Sequence, residues 1–155
     1  MIKIKPLKTE DCNEAARIEA ECLAEAWSAE SLSKLCKSGD AAVLAAYDAD
    51  AEKAVGLVHC GFVLDEAHIN NVSVAEEYRR QGIGSMLLCA LFDEAKKRGC
   101  TVVFLEVRSS NMPAVTLYKK LGFTVLGEQI GAYHTTDGSR ITGHENALVM
   151  GKKLI

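Results

Sequence analysis

The sequence predicts a single α/β (α+β) domain, layered around a mixed sheet, and three observations predict it. The chain has 155 residues, a length that suits one domain burying roughly two thirds of its unfolded surface. Between Ala42 and Val74 three β-type segments follow one another with only short polar turns between them. From Thr101 to Leu126 the order is β-type, helical, β-type, and strands that flank helices in this way bury their apolar faces in a three-layer arrangement. No repeat, linker or low-complexity run divides the chain.

Taken in order, Ile2, Ile4 and Leu7 indicate a short first strand, and Thr9 is placed to cap a helix to about Cys22 with Ala16, Ile18 and Leu23 on its apolar side. Ser28 caps a second, short helix that Gly39-Asp40 ends. Ala42 to Tyr47, Ala54 to Leu64 and Ala67 to Val74 read as an antiparallel meander, joined by turns such as Asp48-Ala49-Asp50 and Asp65-Glu66. Gly82 to Arg98 carries Ile83, Leu87, Leu91 and Ala95 at helical spacing and closes on Lys96-Lys97-Arg98-Gly99, cations followed by glycine. Thr101 to Val107 is β-branched and aromatic; Ser110 or Asn111 then caps a helix with Pro113 in its first turn, which stops at Gly122. Phe123 to Leu126 and Ala147 to Met150 are the last strands, separated by a polar, turn-rich stretch from Thr135 to Gly143.

Composition excludes several classes. Apolar residues at 48% and charged residues at 25% are ordinary for a soluble domain, and no run approaches the roughly eighteen apolar residues of a membrane span. The N-terminus enters alternating residues without a signal-peptide pattern, which predicts a cytoplasmic protein. The six cysteines form no Cys-x-x-Cys pair and the four histidines no zinc-like spacing, so free thiols and no metal are expected. A net charge of −3 gives no basic footprint for nucleic acid, and an acidic surface tolerates a cationic partner.

The run Arg79-Arg80-Gln81-Gly82-Ile83-Gly84-Ser85 lies between the last strand of the meander and the longest helix. Its glycines allow close backbone approach, the first N–H groups of the helix lack intrahelical acceptors, and the helix dipole and two arginines add positive charge. A diphosphate suits that combination, although turn chemistry alone also explains two glycines. A dinucleotide fingerprint requires a third glycine where Met86 and Leu87 stand, and a P-loop requires a Gly-Lys-Ser/Thr that is absent. Further on, Glu106 interrupts an apolar strand, with Val102 and Phe104 on its own side and Val103, Leu105 and Val107 on the other. Burial there raises a carboxyl's pKa toward that of a general base, and the bland alternative is an ion pair to Arg108 or Lys119. Tyr118 shares a helical stripe with Ala114, Leu117 and Leu121, a pattern that reads first as core.

The loop Arg79-Arg80-Gln81-Gly82-Ile83-Gly84 resembles the pyrophosphate loop of the GCN5-related N-acetyltransferases. Phe104-Leu105-Glu106-Val107-Arg108-Ser109-Ser110-Asn111, Ala114-Val115-Thr116-Leu117-Tyr118 and Lys120-Leu121-Gly122-Phe123 resemble its ribosomal-protein-alanine N-acetyltransferase (RimI-type) branch, as do Trp27-Ser28 and Leu64-Asp65-Glu66-Ala67. The resemblance implies a mostly antiparallel central sheet flanked by helices, with strands splayed at the cofactor site. It implies acetyl-coenzyme A as donor, the pantetheine arm on the strand edge Val72, Ser73 and Val74, the pyrophosphate on Arg79 to Ser85, and Asn111 near the cofactor. Glu106 falls on the family's general base and Tyr118 on its general acid, with direct transfer and no covalent enzyme intermediate. Asp65 and Glu66, otherwise two solvated turn acids, fall where the family lines its acceptor groove, and Trp27 and Tyr133 supply apolar walls. Ala26 stands where the family commonly has proline, and Gly131-Ala132-Tyr133-His134 where it has paired tyrosines. The implied acceptor is a protein N-terminal amine, that of an alanine on a small-subunit ribosomal protein. A lysine side chain, a small-molecule amine, or a non-catalytic acyl-coenzyme A-binding role are the competing readings.

Overall fold

A computed structural model describes residues 1–137 and 140–154. Its strands are β1 (Ile2–Pro6), β2 (Ala41–Asp48), β3 (Lys53–Val63), β4 (Glu66–Val74), β5 (Val102–Arg108), β6 (Thr124–Asp137) and β7 (Arg140–Lys153). The helices are α1 (Cys12–Cys22), α2 (Ala29–Cys36), α3 (Ile83–Lys97) and α4 (Met112–Lys120). They build one mixed sheet in the order β1-β2-β3-β4-β5-β7-β6. Every neighbouring pair is antiparallel except β4 with β5.

The parallel pair positions the site. It is short, Glu66 opposite Val102, Ala67 opposite Val103 and His68 opposite Phe104, and pairing stops there while β4 runs on to Val74 and β5 to Arg108. A bulge in β4 explains the divergence. His59 faces Asn71 and Cys60 faces Ile69, so Asn70 is an extra residue on β4, and an extra residue bends and twists the strand that carries it.

Two apolar clusters lie on the two faces of the sheet. On one, Leu87, Leu88 and Leu91 of α3 and Val115 and Tyr118 of α4 pack against Val55, Val103, Leu105 and Met150. Gly56 lets β3 approach α3 here, since a Cβ at that position would lie 3.0 Å from the Ser73 carbonyl oxygen and 3.3 Å from Leu87 Cδ1. On the other, Ala15 and Ile18 of α1 and Leu32 of α2 cover Val43, Ala45 and Leu57. α1 and α2 lie over β2, β3 and β4.

The meander and the longest helix follow the sequence expectation, and Ser28 caps α2 by accepting the Ser31 N–H at 3.1 Å. Two differences have clear causes. Thr9 opens a separate 3-10 turn, Thr9–Asp11, and α1 starts only at Cys12; it buries Ile18 as expected, together with Cys12, Ala15 and Glu19, while Ala16 is half-buried and Leu23 lies beyond the helix end in extended conformation. The described residues of the stretch Thr135 to Gly143 are strand, because β6 and β7 form a long hairpin with cross-strand partners that the polar composition hides. His134 and His144 pair with rings 4.8 Å apart, and the hydroxyls of Thr135 and Thr142 hydrogen-bond at 3.1 Å. Gly138 and Ser139 of that stretch lie outside the described residues.

Candidate active site

The loop expected to cradle a diphosphate follows β4 and leads into α3. Tyr78 anchors its start by donating a hydrogen bond to Asp48 Oδ2 at 2.7 Å. Arg80 (φ 63°) and Gly82 (φ 78°) are both left-handed, and Gly82 is the N-cap of α3 with no side chain capping it. The first bond of the helix is Met86 N–H to the Gly82 carbonyl. Among the described residues no backbone N–H from Arg80 to Ser85 donates to the protein. Successive backbone N–H groups left free around left-handed residues are the kind of group that can face an anion. Gly82 and its surroundings are open, with nothing within 4 Å of a Cβ placed there.

Arg79 behaves differently from the expectation of a free cation. Its Nε donates to the Val74 carbonyl at 3.1 Å and its Nη2 contacts Cys22 Sγ at 3.2 Å, so the side chain braces the end of β4 against α1. Arg80 and Gln81 are exposed. Ser73 lies in the middle of the implied Val72–Val74 edge, and its hydroxyl is buried without a hydrogen-bond partner among the described residues. That hydroxyl stands on the Leu57 side of the sheet, the face that α1 covers. Asn111 caps α4, its Oδ1 accepting the Ala114 N–H at 3.3 Å.

The opposite side of the splay opens into a groove of about 610 Å³. His68 and Asn70 of β4 and Phe104 and Glu106 of β5 line it, as the two-residue side-chain period of strands requires. The bulge brings Asn71 to the same side, and Glu25, Trp27 and Tyr133 form the walls. Glu106 is exposed, not buried: Val103, Leu105 and Val107 take the core face of β5, and its other face lies beyond the cover of α1 and α2. Among the described residues Glu106 pairs with neither Arg108 nor Lys119; Arg108 instead bonds Glu145 at 2.9 Å, the carboxylate of Glu25 and the His134 carbonyl at 3.0 Å, and stacks on the Tyr133 ring at 4.5 Å. That single guanidinium ties both groove walls to β5.

Tyr118 is buried at the α4 face of the sheet, edge-on to Phe123 at 5.7 Å. Burial, and then the Tyr133 phenol, push its pKa up to about 12. Burial raises Tyr133 as well, followed by the charge of Glu106. Asp65 and Glu66 do not line the groove. Asp65 ties the β3–β4 turn to β5 by accepting the Thr101 hydroxyl at 2.8 Å, and Glu66 bonds His68 at 2.9 Å. The groove's acids are Glu25 and Glu106. Glu25, His68, Asn70, Asn71 and Phe104 were not singled out from sequence; strand parity with Glu106 marks Phe104, but the bulge that selects Asn70 and Asn71 has no sequence signal of its own.

A mixed sheet whose one parallel pair splays between an amide cradle and a polar groove is an acetyltransferase architecture, and the chain belongs to the Acetyltransferase (GNAT) family, whose pattern matches residues 12–123. Over 88 residues it is 46% identical to the ribosomal-protein-bS18-alanine N-acetyltransferase of Escherichia coli, a match covering 57% of this chain and 56% of that protein. The chain thus spans just over half the length of that relative. A Bacillus subtilis protein given the same name provisionally is 30% identical over 149 residues, 95% of this chain and 92% of its own length. The crystal structure of the ribosomal-protein-S18-alanine N-acetyltransferase from Escherichia coli superposes with a TM-score of 0.87 at 34% identity, covering 99% of this chain and 94% of that one.

Proposed function

We propose that the protein transfers an acetyl group from acetyl-coenzyme A to the N-terminal α-amine of a protein, the alanine of a small-subunit ribosomal protein. The observation that carries this reading is the position of Glu106 on the groove side of a splay whose other side holds the free amides of Arg80 to Ser85. Those amides, with Arg80, hold the diphosphate, and the backbone edge of Val72–Val74 holds the pantetheine arm. Bound acetyl-coenzyme A supplies the thioester carbonyl that the amine attacks. The names of the Escherichia coli and Bacillus subtilis relatives support the choice of acceptor.

An α-amine has a pKa of about 7.7 to 8.0 and is mostly protonated at neutral pH. Glu106 takes its proton, directly or through one water, which frees the lone pair for attack. Tyr118, whose phenol stays protonated, returns a proton to the departing thiolate. Neither step forms a covalent bond to the enzyme, so no cysteine is enlisted. Trp27 and Tyr133 shape the groove, and Glu25 adds negative charge that favours a cationic N-terminus.

Glu106→Gln keeps the shape and removes the base. Its turnover is expected to fall by about 10² to 10⁴, with acetyl-coenzyme A binding by calorimetry close to that of the unaltered protein. Full turnover in this variant would remove Glu106 from the mechanism.

A further inference from the structure

The groove rests on a buried polar pair that the proposed chemistry does not use. Glu19 on α1 and His59 on β3 are both 0% exposed, and His59 Nε2 lies 2.6 Å from Glu19 Oε1. The other oxygen of Glu19 accepts the Trp27 backbone N–H at 2.6 Å, and the Trp27 ring stands edge-on to the imidazole at 4.8 Å. Across the imidazole, Asn70 Nδ2 lies 3.2 Å from Nδ1. Trp27 and Asn70 both line the groove.

With Glu19 a carboxylate and His59 a neutral imidazole, the states that fit the placement of the Asn70 NH₂ against Nδ1, the proton positions along this chain are set. A carboxylate accepting at both oxygens has no proton to give, so the Nε2–H of His59 donates to Glu19. A neutral imidazole then keeps a lone pair at Nδ1, which the Asn70 NH₂ must satisfy. The Asn70 amide is therefore fixed with its NH₂ toward His59 and its carbonyl oxygen left over, and among the described residues Oδ1 has no partner. Strand register sets where that oxygen stands. His68 is paired with Phe104, so Asn70 and Glu106 each lie two residues further along the diverging strands, on the two sides of the splay.

We propose that Asn70 Oδ1 accepts an N–H of the acceptor's primary amine opposite Glu106, and that Glu19 and His59 are positioning residues that set the orientation of that amide. The inference rests on the acetyl transfer proposed above and adds a binding group to it. An amine nitrogen held by one N–H on Asn70 and relieved of a proton by Glu106 has its lone pair restricted in direction, which is how positioning accelerates an attack. The buried pair costs desolvation, and orienting a groove amide is the return on that cost.

Three measurements test this. NMR of the protein alone with ¹⁵N-labelled histidine is expected to show His59 protonated at Nε2 and bare at Nδ1. Asn70→Leu removes the oxygen, and with it the amide contact to His59 Nδ1, while the Glu19–His59 bond itself is left in place; kcat/KM for a peptide beginning with alanine should fall about 5- to 10-fold, with acetyl-coenzyme A affinity unchanged. In Glu19→Gln the amide must accept from Trp27 and donate to the imidazole, which moves the ring proton to Nδ1 and turns the Asn70 NH₂ toward the groove. That variant should show the other tautomer and a similar loss of kcat/KM, two readouts that a purely structural pair would not link; if it fails to fold, the first two measurements decide. A protonated Nδ1 in the unaltered protein, or wild-type kcat/KM in Asn70→Leu, overturns the proposal. Absence of thiol release by the unaltered protein with every peptide would instead sink the transfer reading, and Asn70's role with it.

Discussion

Tyr118 packs in the core and, in the proposed mechanism, also supplies a proton. Its ring fills the core between α4 and the sheet, and the same burial holds its phenol at about 12, above the ordinary tyrosine value near 10. A phenol raised in this way remains a proton donor throughout the range where amines lose their protons. The linkage has a definite sign: the folded state keeps the proton while the unfolded chain releases it, so the stability tied to this group is fully present below pH 10 and declines as pH rises toward 12. Tyr118→Phe abolishes that decline. Urea denaturation at pH 9 and pH 11 should show the unaltered protein losing more stability than the variant, by up to about 1.4 kcal/mol per pH unit; parallel losses would contradict the burial assigned here. Glu106 was legible in the sequence as the misfit carboxylate of an apolar strand, yet the reason was different from the one the pattern offered. It is tolerated because its face of β5 is open to the groove, a fact about what α1 and α2 leave uncovered. The bulge residue Asn70 was not legible, because a two-residue alternation cannot reveal where an extra residue enters.

Among the elements, the junction of β4 with α3 is the proposed donor site, and its geometry depends on backbone more than side chains. The sequence displayed this junction well: a strand, two glycines and the start of a long amphipathic helix are local signals. The β6–β7 hairpin was hidden, since its strands are held by cross-strand partners far apart in sequence and its composition is that of a turn. Gly82 is the point at which the donor site is most open to test. At φ 78° a side chain is strained, and a β-branched one is strained most. Gly82→Val should weaken acetyl-coenzyme A binding by at least tenfold in calorimetry while far-UV circular dichroism stays native, since nothing in the fold packs at that position. Unaltered affinity would mean that the amides of Arg80 to Ser85 do not hold the cofactor.

At the scale of the whole molecule, the two faces of one sheet divide the work. α3 and α4 close one face around a continuous core and present the amide cradle, while α1 and α2 cover only the β2–β4 part of the other and leave the groove beside β5. The short parallel pair lies between them, and in the proposed mechanism it is where both sides reach one reacting centre. Fold class and donor loop follow from local sequence patterns; the acceptor groove arises from the junction of α1, β4, β5 and the β6–β7 hairpin, which no local pattern encodes. The most direct measurement is mass-spectrometric location of the acetyl group after reaction of acetyl-coenzyme A with a peptide that begins with alanine and carries an internal lysine. Acetyl on the alanine α-amine, lost when the first residue is blocked, is the predicted result, and acetyl on the lysine side chain or on neither amine would contradict it.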